Sequence, residues 1–174
     1  MHQHKTIIFM LLLTQTGCIT AVDSNRINAQ SSTANIRVYQ QADVMLYPGE
    51  HCYGSKSQRA ISASKTGFSI FSTSKRVGMP VTGDIPGAYN EYVIDAGKPL
   101  TVMLKLAFES GGVNSICGPL GSTFFPQAGK HYDVTMRNSA EQCMVQIREL
   151  HEISTGKAVA QLTPVSPSFF CGGY

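Results

Sequence analysis

Strict alternation of apolar and polar residues is the feature that most constrains the fold of this chain. Leu100, Val102, Leu104 and Leu106 occupy every second position of one segment. Successive side chains of an extended strand point to opposite faces, so these residues share one face. An amphipathic helix would instead need a period near 3.6 residues. The segment therefore predicts a half-buried β-strand.

The same period of two recurs along the chain, with Gly, Pro, Asn and Ser turns between the segments. Several short strands separated by such turns are typical of an antiparallel sandwich or a small barrel. We therefore expect a mainly β protein, a single antiparallel β-sandwich of about seven or eight strands. The further segments that predict strands are Ile36–Val38, Val44–Leu46, Ile61–Thr73 bent at Gly67, Tyr92–Ile94, Thr123–Phe125, Tyr132–Met136, Cys143–Ile147 and, as the last, Val159–Leu162.

The tripeptide Ala-Gly-Lys occurs twice, at 96–98 and at 128–130. Each copy stands between a strand with aromatic residues and an alternating strand, where Gly favours a turn. The repetition is open to two interpretations, an internal repeat of two hairpins or coincidence.

The chain contains five cysteines, of which Cys52, Cys117, Cys143 and Cys171 lie in the predicted domain. In an exported protein they predict two disulfides, and the sequence leaves three pairings open. Buried free thiols are the alternative. A zinc site is disfavoured because no two cysteines have the C-x-x-C spacing.

The N-terminal segment MHQHKTIIFMLLLTQTGC has the organisation of an export signal. Its apolar run, Ile7–Leu13, is much shorter than the roughly 20 residues that span a bilayer. It therefore predicts a signal peptide over residues 1–17. An ordinary secretory signal cleaved after Ala21 or Ala29 is the alternative.

Gly17 followed by Cys18 resembles the lipobox of bacterial lipoproteins, although Gln15 stands where that family usually has leucine. The resemblance implies an acyl and diacylglycerol modification of Cys18 and a membrane anchor. Residues 18–33 would form the anchor and a flexible tether, and residues 34–174 the β-sandwich domain. Lipidation would also account for the odd fifth cysteine. By the same resemblance, Ile19 is compatible with the outer membrane, and the sequence leaves inner and outer membrane undecided.

The run TFFPQAGKHY at 123–132, with Cys143 in a later strand, resembles proteobacterial envelope lipoproteins of the β-sandwich type. The resemblance covers about a third of the mature chain. It implies a fold and a location in the cell envelope, and it carries no catalytic residue.

Motifs for chemistry are weak throughout the sequence. A net charge of +3 with only 14% charged residues argues against nucleic-acid binding. The run 111–115 lacks the closing glycine of a hydrolase G-x-S-x-G motif. No cofactor and no metal site are predicted, because His51, His131 and His151 lack metal-ligand spacing. The carboxylates Asp84, Glu91 and Asp95 are close only along the chain, which says little about a catalytic pair.

The segment 75–92 is the longest one without strand alternation, and it is rich in turn formers. Long loops on a rigid scaffold often carry binding function, and Tyr and Met suit interfaces. Its residues Met79, Ile85, Tyr89 and Tyr92 are therefore candidates for an interaction site. The alternative is a loop folded over an edge of the sandwich.

These observations predict a membrane-anchored periplasmic lipoprotein that acts as a non-enzymatic binding or structural module of the cell envelope. Its expected partners are the membrane, through the lipid anchor, and an envelope protein or a toxin. Two other functions remain open. One is an immunity lipoprotein that neutralises a secreted toxin, and the other is an envelope hydrolase whose site assembles only in three dimensions.

Overall fold

The computed structural model describes residues 32–54, 59–65, 75–110, 113–139 and 142–172. All regular structure in these residues is β, apart from a 3-10 position at Ser32. The signal peptide, Cys18 and the bend at Gly67 lie outside the described residues. The strands are β1 (Thr33–Tyr39), β2 (Asp43–Pro48), β3 (Ile61–Ser64), β4 (Tyr89–Asp95), β5 (Leu100–Ser110), β6 (Val113–Phe124), β7 (His131–Ser139), β8 (Gln142–Ser154), β9 (Lys157–Leu162) and β10 (Ser166–Ser168).

The strands form two five-stranded sheets, which pack as a sandwich. Sheet A has the order β4-β1-β7-β8-β9, and sheet B has the order β10-β6-β5-β2-β3. Neighbouring strands are antiparallel except β1 and β7, which are parallel. The mainly β sandwich-like fold is thus confirmed, with the one parallel pair as a departure.

The expected count of seven or eight strands is wrong, because the described residues form ten. One strand that the sequence pattern did not indicate is β10, in the tail after Pro164. It has only three residues, too few for a period of two to be visible. Its strand conformation comes from pairing with β6, where Ser168 lies opposite Gly121.

The hydrophobic core lies between the two sheets and consists of the inward-facing set of each alternating strand. The predicted strand at Leu100 is confirmed, with Leu100, Val102 and Leu104 buried. The segment 142–154 is also a strand, and its Val145 and Ile147 face the core. The other core residues are Ala34, Ile36, Val38, Ala42, Val44, Leu46, Ala63, Tyr92, Ile94, Phe124, Tyr132 and Val134.

The two Ala-Gly-Lys segments form similar turns, and both lie at one end of the sandwich. Gly97 and Gly129 each have φ of 73°, a conformation that strongly favours glycine. The Gly97 N–H donates to the Pro126 carbonyl, and the Gly129 N–H donates to the Thr33 carbonyl, each at 2.8 Å. The two turns therefore lie together beside the start of β1.

Two disulfides brace the fold, as the cysteine count predicted. Cys52 is bonded to Cys171 across a separation of 119 residues, which ties the C-terminal tail to the body. Cys117 in β6 is bonded to Cys143 in β8, across 26 residues, and so links the two sheets. This selects one of the three pairings that the sequence left open. Within the described ranges, no helix is long and apolar enough to cross a membrane.

Candidate functional site

A row of alternating charges crosses the outer face of sheet A. Register pairs Arg37 of β1 with Glu91 of β4 and with Asp133 of β7, and pairs Asp133 with Arg148 of β8. Side chains at paired positions lie on the same face of a sheet. The order across the sheet is therefore Glu91, Arg37, Asp133, Arg148, so that each charge has an opposite charge beside it.

The segment 75–88, which we call the strap, lies over this row. It begins at the free edge of β4, where the Glu91 N–H donates to the Lys75 carbonyl at 3.0 Å. It reaches β9, where the Val81 N–H donates to the Gly156 carbonyl and the Val81 carbonyl accepts from Ala158. The strap thus crosses sheet A from one edge to the other.

Arg37 is the first attachment point of the strap. Its guanidinium Nη2 lies 2.7 Å from Glu91 Oε1, and the two side chains are 0% and 1% exposed. The guanidinium also donates to the carbonyls of Met79 and Pro80 in the strap, at 3.0 and 2.9 Å. Hydrogen bonds to Glu91 raise the pKa of Arg37 against the opposing effect of burial, so it stays charged.

The second oxygen of Glu91 holds the same part of the strap from the other side. Oε2 accepts hydrogen bonds from the backbone N–H groups of Val77 and Gly78, at 2.7 and 3.0 Å, with Met79 N–H at 3.4 Å. Burial favours the neutral carboxyl, but the hydrogen bonds from Arg37 and the strap outweigh it and lower the pKa of Glu91. The buried pair is therefore ionised. The remaining hydrogen-bond donors of Arg37 and the second carboxylate oxygen of Glu91 bind the backbone of the strap.

The other half of the row also reaches the strap. Arg148 binds Asp133 with two parallel hydrogen bonds, of which Nε to Oδ1 is 2.8 Å, and its Nη1 donates to Asp84 of the strap. Burial raises the pKa of Asp133, with Arg148 opposing that shift. The same guanidinium lowers the pKa of the more exposed Asp84. Fork-shaped arginine–carboxylate pairs of this kind are among the stronger hydrogen-bonded contacts in proteins.

The four residues predicted as an interaction site occupy different environments. Tyr92 is 9% exposed and belongs to the core, where its hydroxyl donates to the Ala63 carbonyl. Met79 is 6% exposed and packs under the strap against Leu150 and Ala158. Ile85 is half-buried within the strap.

Tyr89 is half-buried at the start of β4, with two arginines on its ring. The guanidinium carbons of Arg37 and Arg76 lie 4.4 and 3.8 Å from the ring centroid. The strap instead exposes Val77 and Val81 on its outward side. These two residues were not among the predicted ones, because the sequence does not indicate which side of an irregular segment faces solvent.

Three of the charged residues beneath the strap, Arg37, Asp133 and Arg148, were also missed by sequence reasoning, whereas Glu91 was named only as one of three clustered carboxylates. Arg37 stands between Ile36 and Val38 in an alternating segment, and such a residue normally faces solvent. It is buried here because the strap, distant in sequence, covers the outer face of the sheet. The available signal was the presence of charges on the outer positions of three strands, β1, β7 and β8.

The outer face of sheet B is covered in a different way. Three hydroxyls form a chain across β5, β6 and β10. The Thr123 hydroxyl contacts the Thr101 hydroxyl on one side and the Ser168 hydroxyl on the other. The Thr101 hydroxyl donates to the Glu50 carbonyl at 2.6 Å, and the Ser168 hydroxyl donates to the His51 carbonyl at 3.1 Å. Adjacent to this chain of hydroxyls is the Cys52–Cys171 disulfide, which fixes the tail.

Phe125, directly after β6, is 57% exposed at the end of the sandwich that carries the Ala-Gly-Lys turns. It borders a cavity of about 320 Å³ with His51, Thr123 and residues 164–167. It also borders a second cavity of about 470 Å³, with Ser32, Ala96, Gly97 and residues 126–128. The Phe125 ring therefore lies between the two cavities.

The histidines and the clustered carboxylates do not converge on one centre. His131 lies beside Asn35, and burial lowers its pKa. His51 contacts the Phe125 ring, whereas His151 is near Glu149. In the described part of the chain, no three His, Cys, Asp or Glu side chains are placed to hold a metal ion.

Each of the three carboxylates that are close along the chain is paired with a different cation. Asp84 binds Arg148, Glu91 binds Arg37, and Asp95 binds Lys98. The arrangement can hold a segment of chain in place, since its charges are already satisfied by one another. Cys18, the predicted lipidation site, lies outside the described residues.

Comparison with known proteins gives no relative from which a function could be transferred. No protein-family model, no curated protein and no solved structure matches this chain.

Proposed function

We propose that this protein is a membrane-anchored periplasmic lipoprotein that acts as a non-enzymatic binding module, with the outward side of the strap as its recognition surface. One observation carries the proposal: the buried Arg37–Glu91 pair directs its remaining hydrogen bonds to the backbone of the strap. A surface segment is thereby held in one conformation from beneath.

Such a pair is an inefficient way to stabilise a fold. Removing two charges from water costs several kcal/mol per ion, and well-packed apolar residues are often equally stable in the same place. What Arg37 and Glu91 supply is a defined position for residues 77–80, because each hydrogen bond has a required direction. Preorganising a loop lowers the entropy that a binding partner must overcome.

The chemistry of the strap suits recognition better than catalysis. Asp84, Glu91 and Asp133 are each engaged by an arginine. General acid–base chemistry needs a group that can exchange its proton with a substrate at the working pH. Val77 and Val81 face outwards, which offers a partner two apolar contacts.

The proposed location follows from the cysteines. Two disulfides are typical of an oxidising, extracytoplasmic compartment. Cys18 is the remaining cysteine, and the Gly17-Cys18 sequence supports its lipidation.

The location is tested by the Cys18→Ser variant expressed in a Gram-negative host. We expect the wild-type protein to carry an acyl mass on Cys18 and to fractionate with membranes. The variant should lose both properties while keeping its two disulfides. An unmodified wild-type protein in the soluble periplasm would contradict the anchoring.

The recognition surface is tested by crosslinking in intact cells followed by mass spectrometry. We expect Val77→Ser and Val81→Ser to reduce recovery of the crosslinked partner, because both side chains are exposed on the outward side of the strap. Ile116→Ser in β6 is the matched control, since Ile116 is 67% exposed and lies in the other sheet. Equal loss of the partner in all three variants, or no reproducible partner at all, would refute the proposal.

A further inference from the structure

The end of the sandwich around Phe125 has an apolar surface. We call this end the tip; it consists of Phe125, Val165 and the turns 96–99 and 126–130. Phe125 and Val165 are 57% and 38% exposed. Ala128, Gly97 and Gly129, in the two turns, are also exposed. Exposed apolar groups that lie together usually mark a contact with a partner or with lipid.

The basic residues of the tip carry no unbalanced charge. Lys98 Nζ lies 2.8 Å from Asp95 Oδ2, and Lys130 Nζ lies 2.9 Å from Glu149 Oε1. Each lysine therefore has an acidic neighbour, and the tip is not a polybasic surface of the kind that attracts anionic partners. Its contact must depend mainly on apolar groups.

The chain enters the folded domain at the tip. Ser32 lines the cavity of about 470 Å³ together with Phe125. Its carbonyl accepts a hydrogen bond from the Ala96 N–H at 2.8 Å, inside the first Ala-Gly-Lys turn. Residues 19–31 connect this point to Cys18. Even fully extended, that connection spans at most about 50 Å, at ~3.3–3.6 Å per residue.

We propose that the tip rests on the lipid bilayer, with Phe125 at the level of the headgroups. This inference deepens the proposed function and depends on its lipid anchor at Cys18. The anchor keeps the domain within reach of the surface, so a small apolar contact suffices to orient it. Aromatic rings are favoured at the boundary between headgroups and acyl chains. The strap lies on the side of the sandwich, over sheet A, and stays accessible to a partner in this orientation.

The absence of tryptophan from the whole sequence makes a direct test possible. Phe125→Trp places a single fluorescent reporter at the tip, and Ile116→Trp places the control reporter on the same strand away from it. The chain beginning at Cys18 is coupled through that thiol to a maleimide lipid, in phosphatidylethanolamine–phosphatidylglycerol vesicles with brominated acyl chains. The other four cysteines are in disulfides and do not compete.

We expect the Phe125→Trp emission to move to shorter wavelength and to be quenched by the brominated lipid. The reference is the same protein capped with a soluble maleimide. Ile116→Trp should show neither change. If Phe125→Trp fails to fold, Val165→Trp serves as the tip reporter. Equal quenching of tip and control reporters, or none in either, would overturn the proposal.

Chemical coupling keeps this test independent of lipidation in the cell. If protein isolated from membranes lacks the acyl mass, the anchoring proposal fails, while the coupled sample still reports on the tip. If the acyl mass is present and the tip reporter is not quenched, the anchor stands and the proposed orientation fails.

Discussion

The two outer faces of the sandwich are covered by irregular segments that are held in opposite ways. On sheet A the strap is held by ionised side chains, with Arg37 and Glu91 at the centre. On sheet B the segment 50–54 is held by the Cys52–Cys171 bond and by the hydroxyls of Thr101 and Ser168, which donate to the Glu50 and His51 carbonyls. Tyr53 lies directly against β6 of sheet B, since a Cβ on Gly121 would be 2.6 Å from the Tyr53 ring.

A covalent cover and an electrostatic cover respond to different conditions. A disulfide is broken by a reducing agent but is unaffected by moderate changes of pH. An ion pair is unaffected by a reducing agent but is lost when its carboxylate takes up a proton. A cover held by ion pairs also has a specific geometry, which is the property that a recognition segment needs.

Removal of the covalent cover should have the largest effect on stability. The combined Cys52→Ser and Cys171→Ser variant opens a loop of 119 residues. The chain-entropy relation gives a loss of about 5 kcal/mol in the free energy of unfolding. Urea unfolding measures it. The control is Cys117→Ser with Cys143→Ser, where the loop of 26 residues gives a loss of about 3.5 kcal/mol. A larger loss in the control would contradict the loop-length argument.

Breaking the centre of the electrostatic cover should have the next largest effect. Arg37→Met leaves Glu91 buried without its cation, which costs about 3–5 kcal/mol in the free energy of unfolding. Adding Glu91→Met removes the uncompensated charge and should restore most of that loss, because two apolar residues then replace the pair. Unfolding curves of the single and double variants are the measurement.

The double variant also separates stability from strap position. It should remain folded and yet lose order in the strap, which increased proteolysis within residues 75–88 would reveal. A double variant as unstable as Arg37→Met would argue against this account of the pair.

The hydroxyl chain on sheet B should contribute less. Thr123→Val keeps the shape of the side chain and removes the hydroxyl that lies between Thr101 and Ser168. We expect a loss of about 1 kcal/mol, because the neighbouring hydroxyls keep their bonds to the Glu50 and His51 carbonyls. A double-mutant cycle with Ser168→Ala measures the coupling. Strict additivity of the two substitutions would mean that the hydroxyls do not act together.

The smallest effect should be the one that pH produces on the strap. The pKa of Glu91 is lowered from its usual 4.5, so its contribution to stability is complete above that value. It is lost as the pH falls below 4.5 through the pKa of the folded state. The stability difference between wild type and Glu91→Gln should therefore shrink in this range.

Two comparisons make the pH measurement specific. Asp133 has a raised pKa and shifts stability in the opposite sense, so the Glu91→Gln difference is needed to isolate Glu91. The difference between wild type and the Cys52→Ser, Cys171→Ser variant should stay constant over the same range. If it changed as much as the Glu91 difference, the two covers would not be distinct in the way described.

Much of the fold could be predicted from local pattern. Strands such as β5, β7 and β8 alternate over five or more residues, and their inward sets form the core. The mainly β fold and the two disulfides could also be predicted from the sequence. The segment 75–92 was correctly singled out as irregular, although its last residues, Tyr89 and Tyr92, belong to β4.

The candidate site was much less accessible to prediction. In the sequence Met79 and Tyr92 resemble residues of exposed interfaces, yet both are buried. Arg37, Asp133 and Arg148 look like ordinary solvent-facing positions of strands. Their burial depends on the strap, which contacts them across 42 to 64 residues of sequence. No local rule encodes a contact of that range.

By itself the sequence determined where most of the strands form, which side chains of the alternating strands face inwards, and that four cysteines would form two disulfides. These properties depend on the alternation of neighbouring residues and on composition. The tertiary structure alone decided the disulfide pairing, the parallel contact of β1 with β7, and the meeting of Glu91, Arg37, Asp133 and Arg148 in one row. The physical reason is that strand register and the path of the strap are set by packing between distant segments, which brings charges together that are far apart along the chain.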